Sequence, residues 1–105
     1  MARQQFQNLT EPMYYILISL LQERCGVDIM KSVIDISKGR VRVGPGTLYT
    51  LLGKFEKEKM IIETKIQGRK RSYIITDKGK EILLDEYRRL ITMVNDGEVY
   101  MEGEI

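Results

Sequence analysis

Apolar residues fall along this chain in two different periods. Between Met13 and Leu21 only Ser19 interrupts the run Met13, Tyr14, Tyr15, Ile16, Leu17, Ile18, Leu20, Leu21, which predicts a helix apolar around its whole circumference. Thr10 ahead of Glu11-Pro12 gives that helix an N-cap, with an acid and a proline in its first turn. Arg24-Cys25-Gly26 ends it in a turn. From Val27 to Ser37 a second helix sets Ile29, Met30, Val33 and Ile34 on one face and Asp28, Lys31 and Asp35 on the other. Lys38-Gly39 closes it, with Gly39 suited to the left-handed C′ position. Arg40-Val41-Arg42-Val43 alternates base and apolar residue, either a short extended link or a longer turn.

A third helix opens at Gly44-Pro45-Gly46, with Gly44 as cap and Pro45 at the first helical position, where its fixed φ fits and its missing N–H costs nothing. Leu48, Leu51, Leu52 and Phe55 then line one face, while Thr47, Thr50, Lys54 and Lys57 line the other and Tyr49 stands at the flank. After Lys57 the period shortens. Met60 to Ile66 and Ser72 to Thr76 are β-branched and aromatic, and Gln67-Gly68-Arg69-Lys70-Arg71 between them is a glycine turn with three bases. Thr76-Asp77 caps a last helix whose apolar seam is Leu83, Tyr87, Leu90, Ile91 and Val94, with Ile82 alongside. Asn95-Asp96-Gly97 is expected to break it, leaving an acidic tail with Glu98, Glu102 and Glu104. Residues 1–7 read as a frayed polar tail.

Helix, turn, helix and basic hairpin is the order of a winged helix-turn-helix. The fold expected is therefore mainly α with a small β-hairpin. Residues 1–80 form the DNA-binding unit and residues 81–105 a dimerisation helix and acidic tail, together one compact body. A helix apolar all round needs cover all round. In a chain of 105 residues that cover is either a second subunit or the chain's own last helix. The long apolar seam of the last helix favours the subunit.

Charge sharpens the functional reading. The net charge of +2 hides twelve Lys/Arg against four acids between Lys38 and Lys80, a local +8, between acidic flanks of −1 and −5. A basic middle is the electrostatic footprint of a nucleic-acid binder. A slim helix with Thr and Lys on its outer face is what a major groove admits, so the third helix is read as the recognition helix. Thr47, Thr50 and Lys54 are expected at base edges or nearby phosphates. Tyr49 is expected at a phosphate, Gly46 near a phosphate through the free N–H groups of the helix start, and Arg69, Lys70 and Arg71 on the backbone as the wing. Arg40 and Arg42 are further candidates for backbone contacts. Met13, Tyr14, Tyr15, Ile18, Tyr87, Leu90, Ile91 and Val94 are expected to form the dimer interface, and a small aromatic effector would lie among the tyrosines and aliphatics there. The partners expected are double-stranded DNA with a palindromic operator and a second copy of the chain.

Catalysis finds no support. With no His and one Cys, Cys25, the sequence offers no metal-ligand set, no nucleophile–base pair and no internal disulfide. Gly44-Pro45-Gly46-Thr47 lacks the Gly-Lys-Ser/Thr ending of a nucleotide loop. No cofactor is expected. No run is long enough for a membrane span, and a cytoplasmic location is expected. A winged helix used for protein–protein contact is the rival reading; it keeps the fold and the dimer but does not require the local +8.

The segments Gly44 to Leu52, Phe55 to Glu58, Gly68-Arg69-Lys70-Arg71-Ser72-Tyr73 and Thr76-Asp77-Lys78-Gly79 together resemble the signature of PadR-like transcriptional regulators. The resemblance runs from about Leu9 to about Leu90 and suits the short-tailed branch with a single C-terminal helix. It implies a homodimeric winged-helix repressor paired through its first and last helices, in a family where many members respond to phenolic or multidrug-like molecules. Three departures stand out. Gly26-Val27 replaces the Gly-Tyr common in the family, Gly53 stands where a base is usual, and Lys59 stands where a glycine is usual, so the third helix is expected to end without its left-handed glycine.

Overall fold

A computed structural model describes residues 8–103; the N-terminal tail expected to fray and the final acid, Glu104, lie outside the described residues. Thr10 caps α1 (Glu11–Ser19), accepting the Met13 N–H at 3.4 Å, with Pro12 in the first turn. Of the apolar run only Ile16, Leu17 and Leu20 are fully buried. Ser19, the apparent polar break, is buried too: its hydroxyl donates to the Tyr15 carbonyl at 2.9 Å and sits 3.0 Å from the Ser32 hydroxyl. That pair ties α1 to α2 (Gly26–Ile36) without an unsatisfied donor.

The turn expected at Arg24-Cys25-Gly26 is instead a two-residue strand, β1 (Arg24–Cys25). It pairs antiparallel with β3 (Lys70–Ile75), Arg24 opposite Tyr73 and Cys25 opposite Ser72, while β3 also pairs with β2 (Ile61–Gln67), so the sheet order is β1-β3-β2. Arg24 also donates from Nε to the Ser19 carbonyl at 2.8 Å, satisfying an orphan acceptor at the end of α1.

Both helix-turn junctions use lysine where glycine is the easy choice. At the end of α2, Lys38 (φ 55°) occupies C′ and Gly39 (φ 84°) follows, with Lys38 N–H on the Asp35 carbonyl and Gly39 N–H on the Ile34 carbonyl. Gly39 thus sits one place later than expected, and both residues are left-handed. The helix α3 (Pro45–Lys57) closes the same way. Lys59 (φ 61°) donates to Glu56 and Met60 to Phe55, each at 2.9 Å. Met60 and Phe55 are both fully buried, completing the apolar contact of a Schellman end. The missing glycine therefore does not cost the motif its geometry; Lys59 adopts it at some strain. Exchanging Lys59 for glycine should raise stability by about 0.5–1 kcal/mol, read as a higher midpoint in urea.

Between the two helices the link is extended: Val41 and Val43 point into the core, Arg40 and Arg42 out, and the Ser37 hydroxyl accepts the Val41 N–H at 3.0 Å. Ile29, Val33, Leu48, Leu52, Phe55, Ile61, Tyr73, Ile75, Ile82 and Leu83 complete a single core.

The last helix, α4 (Asp77–Met101), is capped by Thr76 and does not break at Asn95-Asp96-Gly97 as expected. One glycine in a helix interior costs about 1 kcal/mol against alanine, and with no proline nearby the backbone continues. Its first half belongs to the core through Ile82, Leu83 and Glu86. Its second half stands away, leaving Tyr87, Ile91, Met93 and Val94 exposed. Glu86, 1% exposed, accepts the Leu9 N–H and both Nε and Nη2 of Arg89, at 2.9 and 2.7 Å. These bonds hold the chain ahead of α1 against α4.

Candidate nucleic-acid interface

The face of α3 turned from the core carries Thr47, Thr50, Lys54 and Lys57, all exposed, while Leu48, Leu52 and Phe55 on the opposite face are sealed into the core. Gly44 caps α3 by backbone alone, without a side-chain acceptor. Its first turn, which includes Gly46 and Thr47, therefore presents free N–H groups at the positive end of the helix dipole. Gly53 lies on this outer face with open space where a Cβ would stand, so the base usual there in the family could be accommodated.

The hairpin rises beside this face. Gly68 takes φ 62° at the first position of a two-residue connection, the conformation such a loop demands of its first residue. The three bases expected at the tip are spread out as a result. Arg69 is in the turn, and Lys70 and Arg71 are already in β3. Arg69 and Arg71 line a groove with Tyr49, Gly53, Glu56 and Tyr73. Lys70 also borders the other flank, with Lys65 and Gln67 facing Glu23 and Asp28. Thr64, next to Lys65, donates to Glu23.

Tyr49 is 48% exposed and its hydroxyl rests over Gly26 at the start of α2, where a side-chain carbon would collide with it. The absent side chain at Gly26 thus leaves the room that Tyr49 occupies, a relation between distant positions that no local pattern announces. Val27, in the family's tyrosine position, is 53% exposed and fills no pocket in the core. Alanine at Gly26 should push the Tyr49 ring aside at little cost to folding, since only the tip of a flexible side chain must move. Duplex DNA affinity should fall by about tenfold, the loss of one good hydrogen bond to a charged group, with an unchanged thermal midpoint in the same samples.

Arg40 and Arg42 do not join this surface equally. Arg42 is exposed on the link. Arg40 reaches back to α1, donating to Glu11 Oε2 at 3.0 Å and to the Tyr15 hydroxyl at 2.8 Å, and the Glu11 hydrogen bond foremost holds its guanidinium charged above the ordinary value. Tyr15, expected at the dimer or ligand surface, is thereby linked to the helix-turn-helix.

The remaining expected interface residues lie on α1 and α4. Tyr14, Ile18 and Tyr87, with Leu21, Lys80, Leu83 and Leu84, line an open apolar cleft of about 440 Å³ on the surface of the chain. Leu90 borders a second, more polar hollow with Leu9, Tyr15 and Arg89, whereas Ile91 and Val94 are exposed farther along α4.

Two phenols have raised pKa values. Tyr14 is shifted chiefly by burial, then by Tyr87, Tyr15 and Glu86. Tyr73 is shifted chiefly by burial, then by Glu56 and Glu63, with Arg71 opposing. Their neutral forms are favoured in the folded state, so the stability they contribute is present below the ordinary value of about 10 and is lost as pH rises above it. Ultraviolet tyrosinate titration should show Tyr14 and Tyr73 ionising late, and urea midpoints should fall on passing above about pH 10.

The helix-turn-helix with a hairpin beside its second helix defines this chain as a winged-helix protein. It belongs to the transcriptional regulator PadR-like family, whose pattern its residues 16–85 match, and is a transcriptional regulator, not an enzyme. Solved structures share the fold at low sequence identity. A PadR family transcriptional regulator from Eggerthella lenta is 19% identical with a TM-score of 0.73, covering 86% of this chain and 80% of that one. A transcriptional regulator from Clostridium thermocellum is 15% identical with a TM-score of 0.72, covering 87% and 92%. RosR of H. salinarum is 20% identical with a TM-score of 0.65, covering 90% and 97%. No curated protein sequence matches the chain. Among the described residues no group of His, Cys, Asp and Glu could hold a metal ion, and no helix is long and apolar enough to cross a membrane.

Proposed function

We propose that this chain is a sequence-specific DNA-binding regulator that acts in the cytoplasm as a homodimer on a palindromic operator, repressing until a small hydrophobic or aromatic ligand releases it. The observation that carries this reading is the exposed ridge Thr47, Thr50 and Lys54 beside a groove lined by Arg69 and Arg71. The ridge can enter a major groove while the hairpin follows the backbone. Thr50 and Lys54 read base edges, Thr47, Tyr49 and the α3 N-terminus near Gly46 meet phosphates, and Arg69, Lys70, Arg71 and Arg42 add cations. Arg40 serves less directly, since Glu11 occupies its guanidinium.

The dimer is supported by the exposed apolar residues Tyr87, Ile91, Met93 and Val94 along α4, uncovered within the chain, a seam that α1 of a second copy would cover. The open apolar cleft lined by Tyr14 and Tyr87 supports the ligand, and titrating aromatic compounds against tyrosine fluorescence tests it. The decisive experiment is a gel shift on the promoter of the protein's own operon against random DNA, over a range of salt. Preference for the promoter, with log affinity falling by roughly 0.9 per phosphate contact per unit of log salt, is expected. Equal binding to both DNAs, or an affinity indifferent to salt, would sink the reading.

A further inference from the structure

On the wing, one carboxylate faces a cation it does not bond. Glu63 stands opposite Tyr73 across the hairpin, and Arg71 lies two residues from Tyr73 on β3, so all three side chains share the sheet face turned toward α3. Glu63 Oε2 is buried and accepts no hydrogen bond. The guanidinium Nε of Arg71 is 3.6 Å away, and the Arg71 side chain is 58% exposed. That separation is too long for an N–H···O hydrogen bond, yet the charges attract. Arg71 is also one of the two bases lining the groove beside Tyr49 and Gly53.

An oxyanion that meets an arginine fork with two oxygens at hydrogen-bond distance makes a stronger contact than a carboxylate held off at this range. We infer that Glu63 is a positioning residue for the wing, standing in for a DNA phosphate in the free protein and competing with that phosphate for Arg71. The inference rests on the DNA-binding reading above. On binding, the Glu63–Arg71 attraction is exchanged for a phosphate contact, so Glu63 holds the guanidinium over the groove but lowers the affinity gained when Arg71 engages.

Because a phosphate contact is blind to sequence, a fluorescent random-sequence duplex at low salt is a sufficient probe. Its anisotropy would be measured with the wild type, Glu63→Gln, Arg71→Ala and the double variant. Glu63→Gln keeps the shape and removes the charge, and is expected to tighten binding by up to about fivefold, the scale of an exposed ion pair. Arg71→Ala should weaken binding and flatten the salt slope by roughly 0.9 per wing contact. In the Arg71→Ala background, Glu63→Gln should do nothing.

The same gain in both backgrounds would show a long-range charge effect and overturn the inference. So would unchanged or weaker binding by a Glu63→Gln protein that melts like the wild type. Should Glu63→Gln melt lower, Glu63→Ala in both backgrounds applies the same test, with the same Arg71-dependent gain expected and its absence decisive. Failure of the wild type to bind the duplex would instead sink the DNA-binding reading itself.

Discussion

Alanine in place of Gly79 is expected to lower folding stability by about 3 kcal/mol, at the top of the range for overpacking a filled site. For a domain of this size that is a fall of the thermal midpoint by roughly 12 °C or more. The added Cβ would run into the Met60 carbonyl oxygen and stand 2.7 Å from Ile75 Cγ1. Neither neighbour can yield easily. Met60 is fully buried and its carbonyl accepts the Thr76 N–H at 2.8 Å, while Ile75 is pinned by its own N–H to the Leu20 carbonyl. Thr76 completes the knot: its hydroxyl donates to the Lys59 carbonyl at 2.7 Å and accepts the Gly79 N–H at 3.1 Å. The helix propensity gained by replacing glycine, about 1 kcal/mol, is outweighed. Circular dichroism melts would decide it, and a midpoint within a few degrees of wild type would contradict the packing argument.

Paired charges at Tyr87 and Ile91, as Tyr87→Asp with Ile91→Asp, should leave each chain folded but separate the copies. Both positions are exposed within the chain, at 50% and 41%, so the core loses little. If the distal half of α4 pairs two subunits, placing two carboxylates in that seam removes its apolar contact and adds like-charge repulsion. The sedimentation mass should halve. DNA affinity should fall by about 10²–10⁴, because the second half-site is no longer presented at high effective concentration. An unchanged mass would place the subunit contact elsewhere, or show that there is none.

What the sequence discloses is the part of the fold decided over a few residues. The Gly44-Pro45 start of α3, its buried Leu48, Leu52 and Phe55, the Thr10 and Thr76 caps and the hairpin all follow from local rules, and they recur in the structure. The strand β1 is not legible because two residues carry no period; its pairing with Ser72 and Tyr73 is decided by packing across the chain. Ser19 reads as a flaw in an apolar helix until Ser32 is found beside it. Gly97 reads as a stop because propensity is judged position by position, while a long helix absorbs one unfavourable residue. For the candidate site, sequence identifies the residue types on the outer face of α3. It does not reveal that Gly26 leaves room for Tyr49, that Arg40 is taken by Glu11, or that Arg71 faces Glu63.

Among the described residues the sheet order leaves one long margin, that of β2, without a neighbouring strand. An open margin of that kind invites another chain to add in line, the first step toward fibrils. Here the irregularity between Glu63 and Lys65 puts the ladder out of step midway along the strand, and lysine stands directly after it. A bulge and a charged residue at that point work against a continuous intermolecular ladder. The hairpin can therefore project into solvent with Ile62 and Ile66 uncovered and still resist edge-to-edge aggregation.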